Sequence, residues 1–250
     1  AFCDWSSDVC SSDLPPARLA PGELTVDGDD YAYLFRVRRL AAGDPVALFD
    51  GAGREADAVA AAIGPTSARL TVGAVRAVPR PRPRLTVLQA LIKGERMDWC
   101  LEKLVEVGVD AIVPVACARS VVRLDDARRV SRHQRHQALA VAAARQCGRA
   151  DLPTIAPVTE LAAALAAVDA GRRLVAHPGG APLGAAHAAD DHVAILIGPE
   201  GGLTADELEA ADRAGFAPVS LGPTILRAET AGVLAAAAIR LFAPPPVGAV

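Results

Sequence analysis

The sequence predicts an α/β protein in two parts: a small N-terminal β barrel, then a domain built on a parallel sheet. Three observations carry that prediction. Residues 194–242 read in turn as strand, glycine turn, helix, strand, loop and helix. Leu24–Val78 is instead a run of short β segments with turn residues every ~8–12 positions. Between the two, Pro79-Arg80-Pro81-Arg82-Pro83-Arg84 alternates proline with arginine and reads as an extended, semi-rigid linker.

Composition narrows the function classes. The chain of 250 residues has room for one large domain or two modest ones. It is 52% hydrophobic but only 4% aromatic, so the core is aliphatic. A net charge of −3 excludes a polycation, and a nucleic-acid partner therefore requires a local basic face. No apolar run reaches the ~18 residues that span a bilayer, and Ala231–Leu241 is too short, so no membrane partner is expected. Of the five cysteines, Cys100, Cys117 and Cys147 lie in the body of the chain without a CxxC or a paired metal spacing. They read as thiols of a reduced, cytoplasmic protein with no metal site.

Residues 1–14 are serine- and aspartate-rich, lack periodicity and have neither a basic nor an apolar segment of a signal peptide. They read as an artefactual or disordered tail outside the fold. Residues 15–78 form the expected barrel. In it Tyr31–Leu40 reads as a short helix, and Pro45–Phe49 and Glu55–Ile63 flank the Asp50-Gly51 turn as a hairpin. Ala68–Val78 makes a further strand. Arg36, Arg38 and Arg39 give this part a basic edge.

After the linker at 79–84, the second domain occupies 85–243, with 244–250 as a tail. Leu85–Ala90 is an apolar strand. Met97, Leu101, Leu104 and Val105 recur at helical spacing, so Glu95–Val107 is an amphipathic helix that Gly108 ends. Ala111–Val115 is the next strand. Arg119–Arg149 then holds eight arginines against Asp125 and Asp126, the basic face that the net charge conceals. Within it Val130–Gln146 reads as a helix. Glu160–Ala170 is an alanine-rich helix, and Arg173–Ala176 is a strand leading to His177. That histidine either lines the crevice or caps its own loop.

Ala194–Ile197 is a buried strand that stops at Gly198-Pro199-Glu200-Gly201-Gly202. Thr204 with Glu207 three residues on forms a capping box, and Gly215 stops that helix. Ala217–Leu221 is a second strand, and Gly222-Pro223-Thr224-Ile225-Leu226-Arg227 a second loop. Glu229 or Thr230 opens the last helix, Ala231–Leu241. Glycine loops at the ends of neighbouring parallel strands predict a ligand crevice. A phosphate-cradling GxxxxGK[ST] is absent, and a turn with one carboxylate and no basic residue suits a neutral or cationic ligand.

Taken together, IGPEGG, an acidic helix, GF and LG-x-x-ILR-x-ETA, all within residues 197–231, resemble the signature of the RsmE family of 16S rRNA methyltransferases. These belong to the SPOUT superfamily. The resemblance runs from about Gly22 onward. Lys93, Arg96, Lys103, Glu106, Gly108 and Pro114 match a K-x-x-R…K-x-x-E-x-G…P stretch, which Arg119 extends. Gln146 and Arg149 match an EQ-x-x-R motif whose Glu position holds Arg145 here, and Tyr33 stands near a histidine common in the family.

The resemblance implies a PUA-like RNA-binding barrel, a SPOUT-type domain with a C-terminal trefoil knot, and a homodimer. It implies methylation of the N3 atom of a uridine in 16S rRNA, within the assembled small subunit, from S-adenosyl-L-methionine. Ile197, Gly198, Pro199, Glu200, Gly201, Gly202, Leu221, Gly222, Ile225, Leu226, Thr230 and Ala231 then form the cofactor site. Arg227 and Glu229 are the catalytic candidates, with Glu229 either accepting a proton or anchoring Arg227. RNA contacts fall to Arg36, Arg38, Arg39, Lys93, Arg96, Arg119, Arg123, Arg128, Arg129, Arg132, Arg135 and Arg149. Two alternatives stay open: a knotted methyltransferase acting on another RNA position or on tRNA, and a non-catalytic RNA-binding assembly factor.

Overall fold

The computed structural model describes residues 10–13, 15–120, 126–185 and 191–242. Two compact units are present. Residues to 80 join 144–152 in the first, and residues 81–143 join those from 153 onward in the second. The boundary between Arg80 and Pro81 falls inside the proline–arginine stretch.

The first unit is a sheet of short strands: β1 (Cys10–Asp13), β2 (Gly22–Asp27), β3 (Pro45–Phe49), β4 (Arg54–Ile63), β5 (Ser67–Val72) and β6 (Arg76–Ala77). Their order is β1-β3-β4-β5-β2, with β6 on β4. All pairs are antiparallel except β1 with β3. Alternate residues point inward, as the two-residue period of a strand requires, so Leu24, Val26, Val46, Leu48, Ala56, Ala58, Leu70 and Val72 share one core. The turn at Asp50 is held by its own carboxylate, which accepts from the N–H groups of Ala52 and Arg54, both at 2.9 Å.

Three expectations for this unit are corrected. Cys10–Asp13 is part of the fold, because the free edge of β3 offers unpaired backbone groups to it. The helix expected at Tyr31–Leu40 begins earlier, as a turn α1 (Gly28–Tyr31) continuing into a π-helical turn, Ala32–Val37. Asp29 and Asp30 in the first turn favour that start. Residues 144–152, expected in the second domain, hydrogen-bond to the turn: Gly53 N–H donates to Ala150 O and Leu152 N–H to Gly51 O.

The second unit comprises β7 (Arg84–Ala90), α2 (Glu95–Glu106), β8 (Ala111–Ala116), α3 (Asp126–Cys147), β9 (Thr154–Ile155), β10 (Thr159–Glu160), α4 (Leu161–Ala167), β11 (Arg172–Pro182), β12 (His192–Ile197), α5 (Ala205–Arg213), β13 (Ala217–Ser220) and α6 (Ala228–Leu241). The end of α3 belongs to the first unit. The sheet is wholly parallel, in the order β10-β8-β7-β12-β11-β13, with β9 also on β8. Central strands β7 and β12 are buried on both faces, which explains their unbroken apolar runs.

Helix α5 starts as its sequence dictates: Thr204 accepts from Glu207 N–H, and the Glu207 carboxylate accepts from Thr204 N–H. Elsewhere the boundaries shift. Helix α4 is shorter than Glu160–Ala170, since Val168 is already extended. Strand β11 runs on past Ala176 to Pro182, through a register shift against β13 between Ala176 and Ala181. Helix α6 opens at Ala228 with Arg227 at its N-cap, before the Glu229 or Thr230 expected.

Candidate functional site

The carboxyl ends of β11, β12 and β13 converge on a cavity of about 680 Å³. Ligands of open parallel sheets bind at such ends, and this volume suits a nucleoside-sized molecule. One wall is the turn after β12: Ile197, Gly198, Pro199, Glu200 and Gly202. A second is the loop after β13, Leu221 to Leu226, running into Ala228 and Ala231 of α6. Gly222 makes that loop possible, because its φ of +127° is closed to residues with a side chain. A third wall is Ala176, His177, Pro178 and Pro182, from the irregular part of β11.

Of the twelve cofactor residues expected, ten line this cavity. Gly201 and Thr230 do not. The Gly201 carbonyl faces away, accepting from Arg119 Nη1 at 3.0 Å, and Thr230 is exposed on the first turn of α6. Of the β11 wall, the sequence singles out His177 alone. His177 does both things proposed for it: it lines the cavity, and its Nδ1 accepts from Gly179 N–H at 3.1 Å. The apolar side chains Leu203, Leu208, Leu221 and Leu226 suit an aromatic base, and the exposed backbone at Gly198 and Gly222 suits polar edges. The residues present therefore fit an adenosine-bearing cofactor.

Arg227 and Glu229 part company at the start of α6. Arg227 lies between the lining residues Leu226 and Ala228, yet its side chain is exposed and has no hydrogen bond or ion pair among the described residues. Glu229 is buried, and its Oε1 faces Arg96 Nη1 at 3.7 Å while Oε2 has no partner among the described residues. An Arg227–Glu229 ion pair is thus not formed. Residues two apart on a helix point to different sides, which is the reason. Beneath Glu229, the thiol of Cys100 is pushed up to about 12 by burial and then by the Glu229 charge.

Several arginines expected to meet RNA have partners within the protein. Arg96 Nη2 also reaches Glu200 Oε1 at 3.2 Å. Arg129 donates to Val158 O at 3.1 Å and to Glu160 at 2.6 Å. Arg135 pairs with Asp98. Arg149 grips Asp151 with both ends of its fork, at 2.9 and 3.0 Å, and is nearly buried. Of the arginines in 119–149, Arg129, Arg135 and Arg149 are therefore paired with acids, and Arg119 is held by a backbone carbonyl. Arg36, Arg38, Arg39, Lys93 and Arg128 are exposed, and Arg132 is half-buried. Arg36 lies over the Tyr31 ring, 5.6 Å from its centroid. Arg123 lies outside the described residues.

An RNA methyltransferase domain model matches residues 79–240, and an RNA methyltransferase PUA domain model matches residues 26–73. The chain belongs to the ribosomal RNA small subunit methyltransferase E family. It is 37% identical to the Mycobacterium bovis member over 229 residues, covering 86% of this chain and 84% of that one. The Bacillus subtilis member is 29% identical over 227 residues, covering 86% and 89%. A crystal structure of the Neisseria gonorrhoeae methyltransferase E bound to S-adenosyl methionine superposes with a TM-score of 0.83. Its identity is 30%, over 93% of this chain and 97% of that one. The sheet of short strands is the PUA-like part of this family, and the parallel-sheet unit with the cavity is its methyltransferase part.

Proposed function

We propose that this protein methylates the N3 atom of a uridine in 16S rRNA, with S-adenosyl-L-methionine as donor bound in the cavity at the ends of β11, β12 and β13. The observation that carries the reading is that ten of the twelve residues of the family's two glycine-loop motifs expected at the cofactor line one nucleoside-sized cavity. When bound, the donor supplies a methyl group made electrophilic by its sulfonium sulfur. The walls then have to place that group in line with the acceptor, and placement is the larger part of the catalysis.

The chain's own residues divide the task. Leu203, Leu221 and Leu226 would hold the apolar faces of the donor's base, and the backbone at Gly198 and Gly222 would be open to its polar groups. A uracil N3 carries a proton and is used in pairing, so the target base has to be unpaired and turned toward the protein. The N3 proton passes to solvent water, the charge it leaves spreads over N3 and the two uracil oxygens, and the N3 lone pair then takes the methyl as the bond to the sulfonium sulfur breaks, which neutralises the charge. Arg227, exposed beside the cavity and without another partner among the described residues, stabilises that charge. Glu229 anchors the start of α6 through Arg96.

Arg36, Arg38, Arg39, Lys93, Arg128 and Arg132 carry the RNA contacts. The substrate is the assembled small subunit, the protein is cytoplasmic, and the SPOUT trefoil knot lies in the C-terminal part. It acts as a homodimer: Leu234 and Leu241, one heptad apart on α6, and Phe242 leave an exposed apolar surface suited to a second copy. Among the described residues no helix is long and apolar enough to cross a membrane.

The test is transfer of labelled methyl from S-adenosylmethionine to small subunits from cells lacking the endogenous enzyme. Nucleoside digestion is expected to place the label in 3-methyluridine. Label in another nucleoside, or transfer to tRNA in preference, would replace the assigned target. No transfer to any RNA, with RNA binding intact, would favour an assembly factor.

A further inference from the structure

Arg96 joins the turn after β12 to the start of α6 through an ion pair to each. Its Nη2 lies 3.2 Å from Glu200 Oε1, and its Nη1 lies 3.7 Å from Glu229 Oε1. Glu200 lines the cavity, and Glu229 sits two residues after Arg227. We propose that Arg96 is a positioning residue for methyl transfer: its guanidinium, bridging Glu200 and Glu229, fixes the two cavity walls relative to each other and with them the place of Arg227. The proposal rests on the reading of the cavity as the donor site.

Three features favour this role over a phosphate contact. Arg96 already faces two carboxylates, so its charge is engaged within the protein and would have to be withdrawn from them to meet a phosphate. Glu229 is buried and its Oε2 has no partner among the described residues, which leaves Arg96 as its facing cation. Loss of that cation strands a buried charge, and the first turn of α6 has to shift to rehydrate it. A planar fork can serve two diverging acceptors, whereas the point charge of a lysine cannot hold both. Arg96 itself stands at the start of α2, whose buried face of Met97, Cys100, Leu101 and Leu104 makes it a firm base.

The experiment uses the full chain in the variants Arg96→Ala, Arg96→Lys, Glu200→Gln and Arg96→Ala with Glu229→Gln. The readouts are single-turnover methyl transfer to small subunits, donor affinity by calorimetry, and RNA affinity as a function of salt. Arg96→Ala is expected to lower the rate by roughly a hundredfold, the scale of a small misplacement. RNA affinity and its salt slope should stay as in the unaltered protein. Arg96→Lys should restore little, and Glu200→Gln, which leaves the buried pair intact, should give a smaller loss. Adding Glu229→Gln to Arg96→Ala should recover part of the rate, because the stranded charge is gone. A rate within twofold of the unaltered protein, or a salt slope lower by about one phosphate, would overturn the proposal and return Arg96 to the RNA surface. If the unaltered protein neither binds donor nor transfers methyl, the functional reading itself fails.

Discussion

Gly180 lies so close to Val219 that a β-carbon on it would fall 2.4 Å from the Val219 backbone nitrogen. The contact joins the irregular part of β11 to β13, and so sets the distance between the wall bearing His177 and the strand that leads into the loop of Gly222. Backbone cannot move aside as a side-chain tip can. Gly180→Ala is therefore expected to destabilise the protein by roughly 1–3 kcal/mol, as overpacking does, and to weaken donor binding. Thermal unfolding and calorimetry check both effects. An unchanged melting temperature with unchanged donor affinity would show that the two strands separate freely.

Arg149 and the exposed arginines should behave oppositely. Arg149→Ala removes a forked pair with Asp151, whose carboxyl is held below its usual range by the Arg149 fork against the opposing effect of burial. The expected loss is about 2 kcal/mol of stability with no change in the salt slope of RNA binding. The exposed cations are the other class: Arg36→Ala, Arg39→Ala and Lys93→Ala should each lower that slope by roughly one phosphate contact and leave the melting temperature nearly unchanged. Filter binding at several salt concentrations, paired with calorimetric scans, separates the two classes.

Little of this division was visible in the residue order. The capping box of Thr204 and Glu207 was legible, because its partners are neighbours in the chain. So were the strands β7 and β12, whose buried faces write unbroken apolar runs. The arginines of 119–149 read as one basic surface because Asp98 and Glu160, which neutralise Arg135 and Arg129, arrive from other elements. The Arg96–Glu229 pair has no local signal either. The third wall of the cavity comes from a register shift in β11, and a strand's length past its apolar run is not encoded by periodicity.

His136 supplies a pH signature. Burial, then the charge of Arg132, pushes its imidazole down to about 4, from an ordinary value of 6.5, against the opposing charge of Asp98. The native state therefore keeps it neutral where the unfolded chain takes up a proton. Its contribution to stability is full above about pH 6.5 and is eroded as pH falls toward about 4, by at most about 1.4 kcal/mol per pH unit. His136→Leu should flatten the fall of melting temperature across that window. An identical profile in the variant would assign the dependence to carboxylates instead.

Cys100, Cys117 and Cys147 divide by environment. Cys100 and Cys117 are buried and each pushed up to about 12, by burial first and then by Glu229 and Glu207 respectively. Cys147 is exposed. Iodoacetamide at neutral pH, followed by peptide mapping, should label Cys147 and leave the two buried thiols unmodified until the protein is unfolded. Rapid labelling of Cys100 in the folded protein would show that the start of α6 opens readily.

The most direct measurement is the single-turnover rate of methyl transfer by Arg227→Ala at saturating S-adenosylmethionine, read beside donor and RNA affinity. Arg227 stands at the N-cap of α6, exposed between two residues of the cavity wall. If it stabilises the charge that appears on the uracil as N3 loses its proton and that the methyl then consumes, its benefit is absent from the bound ground state and exists mainly on the way to the transition state. The rate should then fall by roughly a hundred to a thousandfold, with both affinities nearly unchanged and with little rescue by Arg227→Lys. A rate near that of the unaltered protein, or a donor affinity that falls in step with the rate, would contradict the account.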